Sequence, residues 1–170
     1  MAILKSRRFI LRPYRKGDEP SLIKNINHKS VSRYLKRVPY PYTKKDAAAW
    51  LRRLRTYTKT KTAVPFAIDI NGKVIGGIGL ENIEGHKAEI GYWLGKKYWG
   101  KGIMTEAVKL ITNFAFKRLK LKRVYGTIFS PNKASARVLE KNGYKLEGIL
   151  RKHYHKDGKI YDGLMYAKIK

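Results

Sequence analysis

The sequence predicts an α+β domain, with a mixed, mostly antiparallel sheet of about seven strands flanked by about four helices. Three features carry that prediction. Apolar residues alternate through Val64, Phe66, Ile68 and Ile70, and again through Ala88, Ile90, Tyr92 and Leu94. They recur at helical spacing through Ala107, Leu110, Ile111, Phe114 and Ala115. The pairs Asn71-Gly72 and Asp157-Gly158 are hairpin turns, because both of their residues tolerate positive φ.

The elements follow in order. Arg8 to Leu11 reads as a first short strand, and Asp18 to Tyr34 as helix, broken by Pro39 and Pro41. Thr43 is the expected N-cap of a second helix, with Asp46 at its third position as a variant capping box, and that helix should run to Tyr57. Val64 to Ile70 and Val74 to Leu80 form a hairpin, and Gly85 turns the chain into the strand ending at Leu94. On that strand Glu89, Gly91 and Trp93 share the face opposite the apolar set. A helix follows Gly102, then a strand from Arg123 to Phe129. Asn132 caps a further helix through Leu139 and Gly143 ends it. A hairpin closes the chain. No repeat, low-complexity tract or linker divides the sequence, so residues 1–170 are read as one domain.

Composition narrows the function. The chain has no cysteine, which excludes disulfides, thiolate metal sites and a cysteine acyl-enzyme. No apolar run is long enough to span a membrane, and the N-terminal stretch lacks the apolar core of a signal peptide, so a cytoplasmic protein without membrane association is expected. The net charge is +27, from 39 Lys and Arg against 12 Asp and Glu. Such a field attracts anions: nucleic acid, ribosomes, acidic proteins and polyphosphate cofactors. The charge is spread along the chain, so a general lysine bias of the proteome reads it equally well.

The turn Trp99-Gly100-Lys101-Gly102 sits between a strand and a helix. A helix start leaves amides unpaired and carries partial positive charge, and glycine lets those amides approach a phosphate. Lys96, Lys97 and Lys101 add charge. Gly95-x-x-x-x-Gly100-Lys101 matches most of a nucleotide P-loop, but Gly102 stands where Ser or Thr would ligate magnesium. Thr105 stands where a dinucleotide fingerprint needs its third glycine. A plain glycine turn before a core helix is the remaining structural reading.

The segments Ala88 to Ala107 and Asn132 to Gly148 resemble the two cofactor motifs of the GNAT N-acetyltransferase superfamily. Together with Arg151, Asp157-Gly158, Asp162 and Tyr166 they look like its Rim-type branch, which includes ribosomal-protein N-terminal acetyltransferases. The resemblance covers essentially the whole chain and implies acetyl-CoA as co-substrate with no metal. It implies that the backbone of Trp93, Leu94 and Gly95 pairs with the pantetheine arm, the Trp93 N–H polarising the thioester carbonyl. The amides of Trp99, Gly100, Lys101, Gly102, Ile103 and Met104 would wrap the pyrophosphate. Asn132 would hold the pantetheine, with Ser135 near the sulfur. Lys97 departs from the motif's usual Arg or Gln. Leu139 stands where many relatives place a tyrosine general acid.

The implied reaction is direct attack of an amine on acetyl-CoA, which needs a base, oxyanion stabilisation and a proton for the thiolate. Glu89 is the candidate base, with Glu81 and Glu84 as backups; the bland reading of Glu89 is an acid that binds an ammonium or pairs with a lysine. Ser135 and Tyr154 are the candidates at the leaving sulfur, Ser135 being otherwise a helix-start residue bonded to backbone. His153 and His155 lack further ligands and read as surface histidines. The expected acceptor is the N-terminal α-amine of a protein, a ribosomal or other acidic one. A small amine or aminoacyl-tRNA is an alternative within catalysis, although the field opposes polyamines. A non-catalytic RNA- or ribosome-binding domain is the alternative outside it. A monomer and a homodimer both remain open.

Overall fold

The computed structural model describes residues 2–170 and forms one eight-stranded sheet. Its strands are β1 (Leu4–Lys5), β2 (Ile10–Arg12), β3 (Val64–Ile70), β4 (Lys73–Glu84), β5 (Lys87–Leu94), β6 (Arg123–Phe129), β7 (Lys145–Lys156) and β8 (Lys159–Ile169). The spatial order is β1-β2-β3-β4-β5-β6-β8-β7, antiparallel throughout except between β5 and β6. The helices are α1 (Glu19–Ile26), α2 (Lys29–Ser32), α3 (Lys44–Thr60), α4 (Ile103–Lys117) and α5 (Lys133–Lys141). The α+β prediction stands, with one strand and one helix more than the sequence suggested.

Each difference has a local cause. The expected first strand is a two-strand ribbon, β1 pairing with β2 through Leu4–Leu11 and Lys5–Ile10. The expected helix Asp18–Tyr34 is two helices, because the imidazole Nδ1 of His28 accepts the Ser30 N–H and starts α2 afresh. Helix α3 begins as predicted: Thr43 accepts the Asp46 N–H while the Asp46 carboxylate accepts the Thr43 N–H. Asn71 and Gly72 both take positive φ, 51° and 78°, and close the β3–β4 hairpin. Asn132 caps α5 by accepting the Ser135 N–H.

The alternation of the strands sorts the two faces. Phe66, Ile68, Ile78, Leu80 and Ile90 point to the face covered by α4 and α5, where they meet Ile103, Ala107, Ile111 and Leu139. Full burial of a side chain such as Leu139 or Ile111 contributes about 1.5–3 kcal/mol. The other face packs Ala67 and Val74 under α1, α2 and α3 through Leu22, Val31 and Ala47. The parallel β5-α4-β6 unit places the start of α4 at the end of β5, beside the functional cleft described next.

Candidate active site

Strands β5 and β6 pair only where Lys87–Glu89 meets Arg123–Tyr125. Beyond that point β5 stays on β4 as far as Leu94, and β6 stays on β8 as far as Phe129, leaving a wedge between them. A cavity of about 1180 Å³ runs through this wedge. Gly102 and Met104 at the start of α4, and Asn132 and Ser135 at the start of α5, line one end. Trp50, Arg53, Glu81 and Glu89 line the other, on the opposite face of the sheet. One opening therefore joins an α4-side pocket to an α3-side pocket.

The glycine turn is built as a cradle. Gly100 and Gly102 have φ of 71° and 72°, the left-handed conformation that glycine adopts without a Cβ penalty. The first hydrogen bond of α4 is Glu106 N–H to the Gly102 carbonyl. Among the described residues, the amides from Gly100 to Thr105 have no hydrogen-bond partner. These are the orphan donors of a helix start, with the dipole behind them. Lys97 and Lys101 stand over the Tyr98 ring, 4.9 and 6.0 Å from its centroid. The amides and flanking charge fit a pyrophosphate. Trp99 does not join the cradle. Its N–H goes to the Lys96 carbonyl and its indole N–H to the Leu94 carbonyl at 2.7 Å.

Strand β5 offers an edge to the wedge, in a different phase from the expected one. Gly95 donates its N–H to Ile75 on β4, so by ladder alternation the Trp93 N–H is also turned toward β4. The backbone groups facing the wedge are those of Tyr92 and Leu94. The Trp99 indole occupies the Leu94 carbonyl, which leaves the Leu94 N–H open. The amide free toward the wedge is therefore that of Leu94 and not the expected Trp93, one residue along.

The titratable residues sort by face. Glu89 lies directly across the β4–β5 ladder from Glu81, and both line the α3-side pocket. The Glu89 carboxylate accepts a hydrogen bond from Asn82 Nδ2 at 2.8 Å. Burial raises the Glu81 carboxyl above the usual range; Arg37 and Arg53 oppose the rise, and the charge of Glu89 adds to it. Glu84 is exposed and pairs with Lys87 at 3.3 Å, away from the cavity lining.

At the other end, Ser135 Oγ has no hydrogen bond among the described residues, so its hydroxyl does not cap the helix backbone; the Ser135 carbonyl accepts the Tyr92 hydroxyl at 3.3 Å. Asn132 uses Oδ1 for the helix cap and keeps Nδ2 for the cavity. Tyr154 stacks on Phe129 with centroids 4.0 Å apart and donates its hydroxyl to the Thr127 carbonyl at 2.8 Å. Burial pushes that hydroxyl up to about 12, with Glu89 adding to the shift. Leu139 is fully buried in the core and takes no part in proton transfer. His153 and His155 are exposed, and no group of three or more metal-ligating side chains occurs among the described residues.

Two features of the site left no mark in the sequence. Tyr92 reaches the start of α5, a contact set by the splay of β5 and β6. Arg8, between β1 and β2, donates Nη1 to the Lys101 carbonyl at 2.6 Å and Nε and Nη2 to the Glu106 carboxylate at 3.1 and 2.7 Å. Ser6 Oγ holds the other Glu106 oxygen at 2.6 Å. This latch ties the Lys101 carbonyl and the first turn of α4 to the β1–β2 connection. Arg8→Leu is expected to weaken acetyl-CoA binding by about tenfold, the worth of one charge-assisted hydrogen bond. Titration calorimetry checks this, with Tm measured alongside.

Known proteins share the family and the fold of this chain. Residues 8–145 match the model of the acetyltransferase (GNAT) domain. The chain is 27% identical to the uncharacterized N-acetyltransferase YoaA of Bacillus subtilis, over 99% of this chain and 97% of that one. It is 31% identical to the ribosomal-protein-serine acetyltransferase of Escherichia coli, over 61% of this chain and 59% of the relative. Its fold matches that of RimL, the ribosomal L7/L12 α-N-protein acetyltransferase solved in complex with coenzyme A, with a TM-score of 0.91, 23% identity, and 99% and 98% of the two chains covered. A turn of unpartnered amides opening into a strand wedge, and a family model that covers most of the residues building them, lead to one conclusion: the chain belongs to the GNAT N-acetyltransferases, enzymes that take their acetyl group from acetyl-CoA.

Proposed function

We propose that this enzyme acetylates the N-terminal α-amine of a protein, with residues 1–170 acting as a single catalytic domain. The supporting observation is the continuous cavity. It begins at unpartnered backbone donors and ends, across the sheet, at two opposed carboxylates. The E. coli relative is named for ribosomal-protein serine, which supports a protein acceptor.

Acetyl-CoA supplies an acetyl thioester already activated for attack. The amides from Gly100 to Thr105 hold its pyrophosphate. The backbone of Tyr92 and Leu94 lines up its pantetheine arm as an added strand, with Asn132 Nδ2 as a further donor. The Leu94 N–H is the donor for the oxygen on which negative charge builds. On the α3 side, Glu81 and Glu89 orient the incoming ammonium and take its proton, directly or through one water. Ser135 Oγ donates to the departing sulfur. It ranks ahead of Tyr154, whose proton is committed to the Thr127 carbonyl.

The pH profile follows from the raised carboxyl of Glu81. A base works only when deprotonated, so the rate of the unmodified enzyme falls as pH drops through that elevated value. Glu81→Gln should remove this limb and leave only that of the α-amine, near pH 8. At neutral pH we expect kcat/KM to fall about 100-fold, with the loss shrinking above the amine's pKa. An identical profile in the variant would return the role to Glu89 alone, and Glu89→Gln makes that comparison.

Free-thiol release from acetyl-CoA over a panel of N-terminal peptides, spermidine and aminoacyl-tRNA tests the acceptor. Peptides should turn over fastest. A clear preference for spermidine would contradict both the assignment and the effect of a +27 surface.

A further inference from the structure

The α3-side pocket carries a charge pattern that a bare amine does not need. Its floor is acidic: Glu81 and Glu89 face each other across β4 and β5, with no side chain on Gly91 next to Glu81. Its rim is basic. Arg37 follows α2 and Arg53 lies on α3, so two separate elements bring guanidinium groups to the same opening. Both act on the charge of Glu81, yet neither comes within ion-pair distance of it. Among the described residues neither makes a side-chain hydrogen bond. Asp46 is the other acid lining this lobe, and its carboxylate is occupied by the Thr43 N–H and hydroxyl.

Two unpaired guanidinium groups near a buried carboxylate make a bipolar site. A planar guanidinium matches a carboxylate in geometry and holds it in two-point contact. The occupant that satisfies both poles has an ammonium at one end and a carboxylate a few bonds away. An extended peptide beginning with a free amine and carrying Asp or Glu at its second or third residue has that layout. A peptide with Lys there meets the Arg pair with like charge. We infer that Arg37 and Arg53 form an acidic-side-chain subsite that selects N-termini with Asp or Glu at the second or third residue. The inference rests on the protein N-terminus being the acceptor.

The test compares kcat/KM for three peptide sets differing only at residues two and three, with Asp, Ala or Lys there. The enzyme should favour Asp over Ala by about fivefold and Ala over Lys by a similar factor, the upper worth of one screened ion pair at each step. Raising the salt should compress both ratios. Arg37→Glu, Arg53→Glu and the double variant should shift the preference stepwise toward Lys. Both side chains are exposed, so the fold is expected to survive, and circular dichroism checks it. Equal kcat/KM for all three sets, or an Asp preference unchanged in the double variant, would overturn the subsite while leaving peptide acetylation intact. Turnover of spermidine or aminoacyl-tRNA with no peptide acetylated would overturn the acceptor class itself, and the subsite with it.

Discussion

Gly102→Glu is expected to abolish acetyl-CoA binding, raising Kd by more than about 100-fold, or about 2.7 kcal/mol. Two effects act together. Gly102 holds φ at 72° as the residue before α4, a conformation costing a side-chain-bearing residue of the order of 1 kcal/mol or more. The new carboxylate would also enter the space next to Arg8, whose Nη2 lies 3.7 Å from where a Cβ would stand. There it would meet the cradle amides itself and repel the pyrophosphate. Gly102→Ala separates the effects, because it keeps the backbone strain without the charge. Calorimetric titration should show weakened binding for Ala and none for Glu. Intact binding by the Glu variant would mean that the turn is not the phosphate site.

The second large effect concerns stability. Arg12 is 5% exposed and bridges two buried carboxylates, Asp18 at 2% and Asp69 at 4%. It donates Nη1 and Nη2 to Asp18 at 2.8 and 2.7 Å, Nε to Asp69 at 2.7 Å, and Nη1 also to the Pro13 carbonyl. The cluster joins β2, the start of α1 and the β3–β4 hairpin, where Asp69 also accepts the Gly72 N–H. Arg12→Leu would leave two buried carboxylates without their cation. Breaking such a cluster from one side costs about 3–5 kcal/mol, a large share of the 5–15 kcal/mol that holds a domain together. Thermal unfolding should show a fall in Tm of roughly 10 °C. The cluster lies apart from the cradle, so the folded fraction should bind acetyl-CoA with unchanged Kd. A Tm within a degree or two of the original would show that the leucine repacks and the carboxylates find other partners.

Local signals in the sequence were reliable where a few neighbouring residues decide the outcome. Thr43 with Asp46, and Asn71 with Gly72, specify their cap and turn through contacts three residues apart or fewer, and both formed as read. The glycine turn and Asn132 were legible for the same reason. What escaped depends on register and long-range pairing. Arg12 meets Asp69 across 57 residues, and Arg8 meets Glu106 across 98. Neither spacing leaves a periodic trace. The phase of β5 explains why the Trp93 amide is turned away from the wedge: alternation along one strand gives its faces, but which amides enter the wedge depends on the ladder with β4. The same ladder moved Glu81 from a backup near a turn to the partner of Glu89, after an irregularity between Glu81 and Glu84 set the register. The insertion of β8 between β6 and β7 was equally hidden, since a closing hairpin can dock on β6 by either strand.

In the proposed mechanism one cavity brings acetyl-CoA from the cradle to a peptide amine resting on Glu81 and Glu89. The most direct measurement incubates the enzyme and acetyl-CoA with a peptide that has both a free N-terminus and an internal lysine, then locates the acetyl group by tandem mass spectrometry. The acetyl group is expected on the α-nitrogen, lost when Gly102 is replaced by Glu and strongly reduced in Glu81→Gln. Acetylation confined to the lysine side chain, or α-acetylation undiminished in both variants, would contradict it.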